Sequence, residues 1–295
     1  MRSHRARYVL VLSAVAGLLL GAVCAVSPRP ADARACIAPA ELQRIASQWR
    51  SGQAVTPPHP TSMAQALCMQ TAFVRAIGIG SRTIGYKVAL TAPRPQAKFH
   101  WHHPISGVLL DAMLLPSGSA VPAHFGAQPL WEDDLLVVVG DDGINAARTP
   151  LQALQHLRAM RPFIELPDLA VAKSTPLNVM SLVALNSGAR SGVAGREVPL
   201  PHTQAMVDAF ASMRVVTSDQ DGNVVTHTTG RAVLGNPLNS VVFLIGQLHA
   251  QGVMLHAGDV ISTGSAFGRP RIVGKTITET YYGMPTTPRV SVTFR

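Results

Sequence analysis

The sequence predicts an α+β protein that is mainly β, with a mixed β core and a small helical cap at its N-terminus. After residue 80 the chain consists largely of short apolar runs separated by Gly and Pro, a pattern typical of strands. Helical periodicity is confined to a few segments, and no glycine-rich phosphate-binding loop follows a strand, so a doubly wound sheet is not favoured. The chain has 295 residues, 47% hydrophobic and 14% charged, which suits a globular protein with a sizeable core.

Residues 1–35 are predicted to be a secretory signal. Three arginines precede an uncharged apolar run over 8–26, and Ala33-Arg34-Ala35 then forms a small-x-small cleavage pattern. We expect cleavage after Ala35, a periplasmic or secreted protein, and no stable membrane insertion afterwards. The alternative is an uncleaved N-terminal anchor, because the run is close to the length that spans a bilayer.

Cleavage there would remove five basic residues and one acid, so the net charge falls from +9 to +5 (9 − 5 + 1). Such a charge suits an anionic small substrate. No dense Lys/Arg cluster is interleaved with aromatics, so nucleic-acid binding is not expected. Cys36 and Cys68 would remain, and in an exported protein we expect them to form a disulfide. Alternatively, Cys68 is a small buried hydrophobe and Cys36 lies in a frayed end.

The helical cap is predicted over residues 36–80, and the β-rich domain over 81–295. The first helix runs from Ala38 to Trp49, and the second follows a cap at Thr61 or Ser62 and ends before Gly78. Further helices are predicted over 148–160 and 237–252. Strands are predicted at 83–91, on both sides of the Asp221-Gly222 turn and at 289–294, and the stretch 260–265 is predicted to be a strand that runs into a small-residue loop. The Asn, Ser and Gly residues within 182–192 indicate a flexible loop.

An acidic pair precedes a buried strand in the stretch 131–140. Glu132 and Asp134 project to the same side of an extended chain, where their charges need a cation, a proton or a basic partner. Glu165 is a third acid inside an apolar segment. Three carboxylates suit Mg²⁺ or Mn²⁺. The alternative is an ordinary strand end, with Glu165 paired to Arg161.

Lys87 lies within the apolar strand at 83–91. If the side chain faces inward, burial would lower its pKa and suit it to proton transfer or to holding an anion. The alternative is a solvated lysine on an edge strand.

Seven segments in order resemble the fumarylacetoacetate hydrolase superfamily, within it the branch of 2-keto-4-pentenoate hydratases and 4-oxalocrotonate decarboxylases. They are GYKVALT (85–91), GVLLD (107–111), EDD (132–134), FIELPD (163–168), NSG (186–188), GNPLNS (235–240) and AGDVISTGS (257–265). Each motif is weak by itself, but together they cover nearly everything after the predicted signal. The resemblance implies a mixed β core of the fumarylacetoacetate hydrolase type.

The same resemblance implies a divalent ion, Mg²⁺ or Mn²⁺, held by Glu132, Asp134 and Glu165. Lys87 would carry a proton or balance the charge of a substrate carboxylate. Substrate contacts are implied for Asn186, Ser187, Thr263 and Ser265. The expected protein is a metal-dependent hydratase, a lyase acting on a small 2-keto acid or 2-hydroxydienoate through an enolate, and a homo-oligomer. The alternatives are decarboxylase or C–C hydrolase chemistry on the same fold, or a non-catalytic exported paralogue that binds or scaffolds.

Overall fold

The computed structural model describes residues 36–266, 268–270 and 274–295, so the predicted signal over 1–35 lies outside the described residues. The α+β, sheet-rich prediction is confirmed: two mixed sheets form the core, and the first two helices precede them. In these described ranges, no helix combines the length and the apolar character that crossing a membrane requires.

The larger sheet contains the strands that carry the acidic stretch. Its main path follows the order β2, β1, β11, β5, β6, β7, β3, and these strands cover Ile105–Leu110, Thr83–Ala89, Val260–Ser262, Leu130–Val139, Leu157–Leu166, Ser191–Ala194 and Leu114–Pro116. Two short strands lie off this path, β8 at Val198–Pro199 and β12 at Arg269–Pro270. The pairs β1–β11 and β3–β7 are parallel. The long ladder between β5 and β6 is antiparallel, with almost every residue of both strands buried.

The smaller sheet packs on the larger one through a shared apolar core. Its order is β10, β9, β13, β14, β4, over Val224–Thr229, Arg214–Asp219, Thr276–Tyr282, Arg289–Phe294 and Ala120–Val121. The Tyr281 hydroxyl group reaches from this sheet to the backbone carbonyl oxygens of Asp134 and Phe163, so a buried polar contact joins the two sheets.

Seven helices lie among the described residues, and the first two form the predicted cap. In order, α1 to α7 cover Pro39–Arg50, Met63–Ile77, Pro93–Lys98, Pro150–Gln155, Val179–Ala184, Gln204–Ser212 and Pro237–Ala250. Helix α2 begins after Ser62, whose side chain accepts from the Gln65 N–H, as one of the two predicted caps requires. Cys36 lies close to Cys68 of α2, with Cα atoms 6.1 Å apart, a separation that a disulfide can span.

Two predicted elements differ in the structure. The helix expected over 148–160 ends at Gln155, because residues from Leu157 onward form β6 and pair with β5, and this tertiary pairing overrides the local helical pattern. The loop expected over 182–192 is buried: it contains the end of α5, a 3₁₀ turn at Asn186–Gly188 and β7. Asn186 is fully buried, so this segment is part of the core.

Candidate metal centre

The β5–β6 ladder places two of the predicted carboxylates directly opposite each other. Glu132 on β5 is the register partner of Glu165 on β6. Side chains of directly opposed residues leave the sheet on the same face, about 5 Å apart at their Cβ atoms. Glu165 is 1% exposed, and Glu132 is partly exposed. Two acids thus meet on one face, where neither has full access to water.

Lys87 provides the positive charge of this cluster. It lies on β1 opposite Ser262, the last residue of β11, and its ammonium group contacts Glu165. The side chain is buried, and β1 lies between β2 and β11, so the solvated edge-strand alternative is wrong. The pairing of Glu165 with Arg161 is wrong as well, since the Arg161 guanidinium donates to the Gly195 carbonyl oxygen at 2.8 Å.

The net shift of the Lys87 pKa is opposite to the one predicted. Burial lowers the pKa of Lys87, but the negative charges of Glu165, Glu132 and Asp134, with the hydrogen bond to Glu165, outweigh burial and raise it above its ordinary value. The lysine is therefore an ammonium at neutral pH, which favours charge balance and hydrogen-bond donation over general-base chemistry.

The acids of the cluster resist ionisation. Burial and the charge of Glu165 raise the pKa of Glu132 to about 8, although Lys87 opposes the shift. Burial and Glu165 likewise raise the pKa of Asp134 to about 7, against hydrogen bonds from Ser262 and the Leu135 N–H. When Glu132, Asp134 and Glu165 are all ionised, three negative charges face one ammonium, an excess of two that a divalent cation would neutralise.

Asp134 lies on the same face but is already held by protein donors. Its carboxylate accepts from the hydroxyl groups of Ser262 and Thr263 and from the backbone N–H groups of Gly264 and Leu135. Because a carboxylate has about four lone-pair sites, binding an ion through Asp134 requires at least one of these donors to leave. Over the described residues, no group of three or more His, Cys, Asp or Glu side chains is arranged closely enough to hold a metal ion.

The donor chemistry at Glu132 and Glu165 nevertheless fits a divalent ion. One carboxylate oxygen of Glu165 is buried with no hydrogen-bond partner among the described residues, although its other oxygen contacts Lys87. A buried carboxylate oxygen without a partner is costly, and a hard cation is the ligand it suits best. The role of Asp134 as a third ligand stays a prediction.

A cavity of about 530 Å³ opens over this cluster, a volume typical of small-ligand sites. Of the predicted site residues, Lys87, Glu132, Ser187 and Ser265 line it. Asn186 and Thr263 are not among the described residues that line it. The cavity wall is largely apolar, with Leu90, Phe99, Leu130, Leu169 and Leu182 among its residues.

Asn186 holds the turn that presents Ser187. Its side-chain amide accepts from the Val108 N–H at 2.7 Å and donates to the Val108 carbonyl at 2.9 Å, so it pairs with β2 as a strand would. Asn186 and Ser187 have positive φ values of 60° and 52°, which are rare for residues with side chains and are held here by these contacts. The Ser187 hydroxyl donates to the Ser106 carbonyl at 2.6 Å.

Sequence reasoning missed several charged residues near the cluster. Arg94, Lys98 and Arg269 line the cavity. Glu279, fully buried behind the acidic stretch, accepts from the Tyr281 hydroxyl group at 2.7 Å, and burial followed by the charge of Asp133 raises its pKa well above its ordinary value. The signal for Arg94 and Lys98 was their i, i+4 spacing, which places both on one helix face.

Comparisons with known proteins agree with the resemblance stated from the motifs. The 2-keto-4-pentenoate hydratase of Burkholderia vietnamiensis is 28% identical over 186 residues, covering 63% of this chain and 69% of that protein. Two structures of 4-oxalocrotonate decarboxylase from Pseudomonas putida G7, complexed with calcium and acetate or with magnesium and adipate, superpose with a TM-score of 0.75 at 25% identity, covering 87% of this chain and 96% of theirs. No protein-family model matches the chain.

A more distant structure agrees at the level of the fold alone. Fumarylpyruvate hydrolase from Pseudomonas aeruginosa, in complex with Mn²⁺ and pyruvate, has a TM-score of 0.50 at 14% identity, covering 72% of this chain and 90% of that one. The predicted resemblance is confirmed: the chain is related to the 2-keto-4-pentenoate hydratase and 4-oxalocrotonate decarboxylase branch and has the fold of the fumarylacetoacetate hydrolase superfamily.

Proposed function

We propose that the protein is a divalent-metal-dependent hydro-lyase that acts on a small 2-keto acid or its 2-hydroxydienoate form. The observation that carries the proposal is the opposed pair of Glu132 and Glu165 beside the Lys87 ammonium, with one Glu165 oxygen buried and without a partner, next to a ligand-sized cavity. The relationship to hydratases supports the reaction class.

Glu132 and Glu165 would hold the ion, Mg²⁺ or Mn²⁺, and Asp134 is the third proposed ligand. A divalent ion bound there supplies Lewis-acid stabilisation to a keto group as it enolises. The Lys87 ammonium would donate to a substrate oxygen, and as an acid it can return a proton to carbon when the enolate collapses. Ser187 and Ser265 line the same cavity, and their polar groups would orient the substrate.

Decarboxylation is the second candidate, because two solved structures that each cover 87% of this chain are of a 4-oxalocrotonate decarboxylase. Both reactions proceed through related enolates, so the carboxylate cluster serves either. Two assays on the same preparation would separate them. Hydration removes the conjugated absorbance of 2-hydroxypent-2,4-dienoate, whereas decarboxylation of a 2-keto diacid releases CO₂.

The metal site is tested by calorimetric titration of the metal-stripped protein with Mn²⁺ and Mg²⁺, with and without oxalate, which mimics a chelating keto-acid enolate. We expect binding in the parent that tightens when oxalate is present. The double variant Glu132→Gln/Glu165→Gln should lose Mn²⁺ binding, because the two substitutions remove both charges and keep the side-chain shapes. The control Glu197→Gln/Asp208→Asn makes the same charge change at two exposed positions and should bind as the parent does. Parent-like Mn²⁺ binding by the Glu132/Glu165 variant would overturn the site assignment.

We also propose that the protein is exported to the periplasm or secreted after cleavage of residues 1–35, that Cys36 and Cys68 form a disulfide there, and that it assembles as a homo-oligomer. The charged, apolar and small-x-small order of the first 35 residues supports export. The pairing of the two sulfur atoms supports the disulfide. Mass spectrometry of the exported protein would give its N-terminus, and light scattering its subunit number.

A further inference from the structure

The Tyr281 hydroxyl group lies between the two strands that carry the candidate metal ligands. It contacts the Asp134 carbonyl oxygen on β5, and at 3.2 Å it meets both the N–H and the carbonyl oxygen of Phe163 on β6. Asp134 and Phe163 are register partners. Two residues away along the same strands are Glu132 and Glu165, the opposed pair of carboxylates. Tyr281 is fully buried, so bulk water does not compete for these contacts.

Tyr281 can hold both strands only when Glu279 is a neutral acid. A tyrosine hydroxyl group has one hydrogen to donate and lone pairs that accept. The Phe163 N–H donates to the hydroxyl oxygen, whereas the carbonyl oxygens of Asp134 and Phe163 can only accept and therefore require its hydrogen. Oε2 of Glu279 lies 2.7 Å from the same hydroxyl group. An ionised Glu279 accepts the tyrosine hydrogen, whereas a protonated Glu279 donates its own and leaves the tyrosine hydrogen to the strands.

The other oxygen of Glu279 supports the neutral form. Glu279 is fully buried, and its Oε1 atom has no hydrogen-bond partner among the described residues. Burying an ionised carboxylate with an unpaired oxygen costs far more than burying the carbonyl oxygen of a carboxylic acid. The positive charge of the neighbouring Arg269 contacts Asp133, at 2.8 Å. Burial, followed by the charge of Asp133, accordingly raises the pKa of Glu279 well above its ordinary value.

We infer that Tyr281 is a positioning residue for the metal centre, and that Glu279, as a neutral acid, directs the tyrosine hydrogen to the strands. Tyr281 belongs to β13 of the smaller sheet, so it ties the β5–β6 ladder to a second layer of the core close to Glu132 and Glu165. The inference rests on the proposed function, in which these two acids hold the ion. Tyr281 is not among the described residues that line the cavity, so it acts through the alignment of the two strands.

The test is calorimetric titration of the metal-stripped protein with Mn²⁺, under conditions where circular dichroism shows every variant to be folded. Tyr281→Phe keeps the ring and removes the hydroxyl group, and we expect it to weaken Mn²⁺ binding about tenfold, as loss of a group that supports a metal ligand commonly does. Tyr282→Phe is the matched control, because this neighbouring hydroxyl group belongs to an exposed side chain, and it should bind Mn²⁺ as the parent does.

A second control separates positioning from general stability. Ile277 is fully buried and lies on the same face of β13 as Tyr281. Ile277→Val removes one methylene group from the core, so it should lower the urea midpoint and leave the Mn²⁺ affinity of the folded protein unchanged. A loss of Mn²⁺ affinity in Ile277→Val equal to the loss in Tyr281→Phe would overturn the inference, because stability alone would then explain both.

The part assigned to Glu279 is tested by a conservative and a non-conservative change. Glu279→Gln keeps a neutral donor of nearly the same shape and should bind Mn²⁺ as the parent does. Glu279→Leu removes the donor and should weaken Mn²⁺ binding about as much as Tyr281→Phe. If Glu279→Gln binds Mn²⁺ as weakly as Glu279→Leu, the assignment of a neutral, donating acid is wrong.

Failure of this inference is distinguishable from failure of the proposed function. If the parent binds Mn²⁺, Glu132→Gln/Glu165→Gln does not, and Tyr281→Phe binds as the parent does, only the positioning role is wrong. If the parent does not bind Mn²⁺, the proposed function is wrong and the positioning role is wrong with it.

Discussion

Replacing Lys87 by Met removes the ammonium group that contacts the buried carboxylate of Glu165. Met fills similar space, so the change is mainly electrostatic. Both side chains of the Lys87–Glu165 pair are at most 3% exposed. Breaking such a buried pair by removing one partner typically costs about 3–5 kcal/mol, because the remaining charge is left buried. We expect Lys87→Met to lower the free energy of unfolding of the metal-free protein by that amount at pH 8.

The exposed pair of Arg158 and Glu197 is the matched control. Its side chains are 50% and 42% exposed, so Arg158→Met should cost no more than about 1 kcal/mol. The assay is urea unfolding with a chelator, followed by tryptophan fluorescence, at pH 8 and pH 5.5. The cost of Lys87→Met should be smaller at pH 5.5, where the raised pKa values of Glu132 and Asp134 leave those acids protonated. A cost at pH 8 no larger than that of Arg158→Met would refute the reasoning.

Three further predictions concern the acidic cluster, two glycines and the pair of cysteines. The pKa values of Glu132 and Asp134 are raised in the folded state to about 8 and about 7, so the metal-free protein should lose stability as pH rises from about 5 to 8. Thermal melting should show Mn²⁺ restoring more stability at pH 8 than at pH 5.5, and an opposite slope would contradict this assignment. Gly85→Ala should lower the free energy of unfolding in urea by about 3 kcal/mol or more, because φ is +152° and a Cβ would overlap the Val260 carbonyl. The control Gly246→Ala has open space around it in α7 and should raise the free energy of unfolding by up to about 1 kcal/mol. Cys36→Ser/Cys68→Ser should cost about 4 kcal/mol by loop entropy; two reactive thiols at these positions in the unreduced, urea-unfolded parent would disprove the bridge.

The sequence was sufficient for features that depend on local pattern. Strand β14, the hairpin around Asp221-Gly222 and α7 follow from periodicity and turn residues, and the structure has them within three residues of the predicted bounds. The helix predicted beyond Gln155 was wrong, because Leu157 and Met160 fit a helical pattern as well as they fit a strand. Only their pairing with Val139 and Val137 on β5 decides for a strand, and that information lies elsewhere in the chain.

The candidate site could likewise be predicted from the sequence only in part. The spacing of Glu132 and Asp134 indicated one face of a strand, but only the β5–β6 register brings Glu165 opposite Glu132. Composition gave no sign that the neighbouring carboxylates would outweigh burial and raise the pKa of Lys87, because that balance depends on three-dimensional distances. The buried acid Glu279 was missed for a related reason. It lies between Thr278 and Thr280, on the same face of β13 as Ile277 and Tyr281, and that face packs inward.

The opposed pair of Glu132 and Glu165 also affects the register in which β6 pairs with β5 during folding. Side chains alternate along a strand, so a slip of β6 by one residue against β5 would send Glu165 to the opposite face and separate the two carboxylates. An ion that binds both acids would therefore stabilise the correctly aligned chain over every odd-numbered misalignment. Divalent ions present while the chain folds would then favour the native alignment, and the fraction of refolded material that retains Mn²⁺ would report the fraction with that alignment.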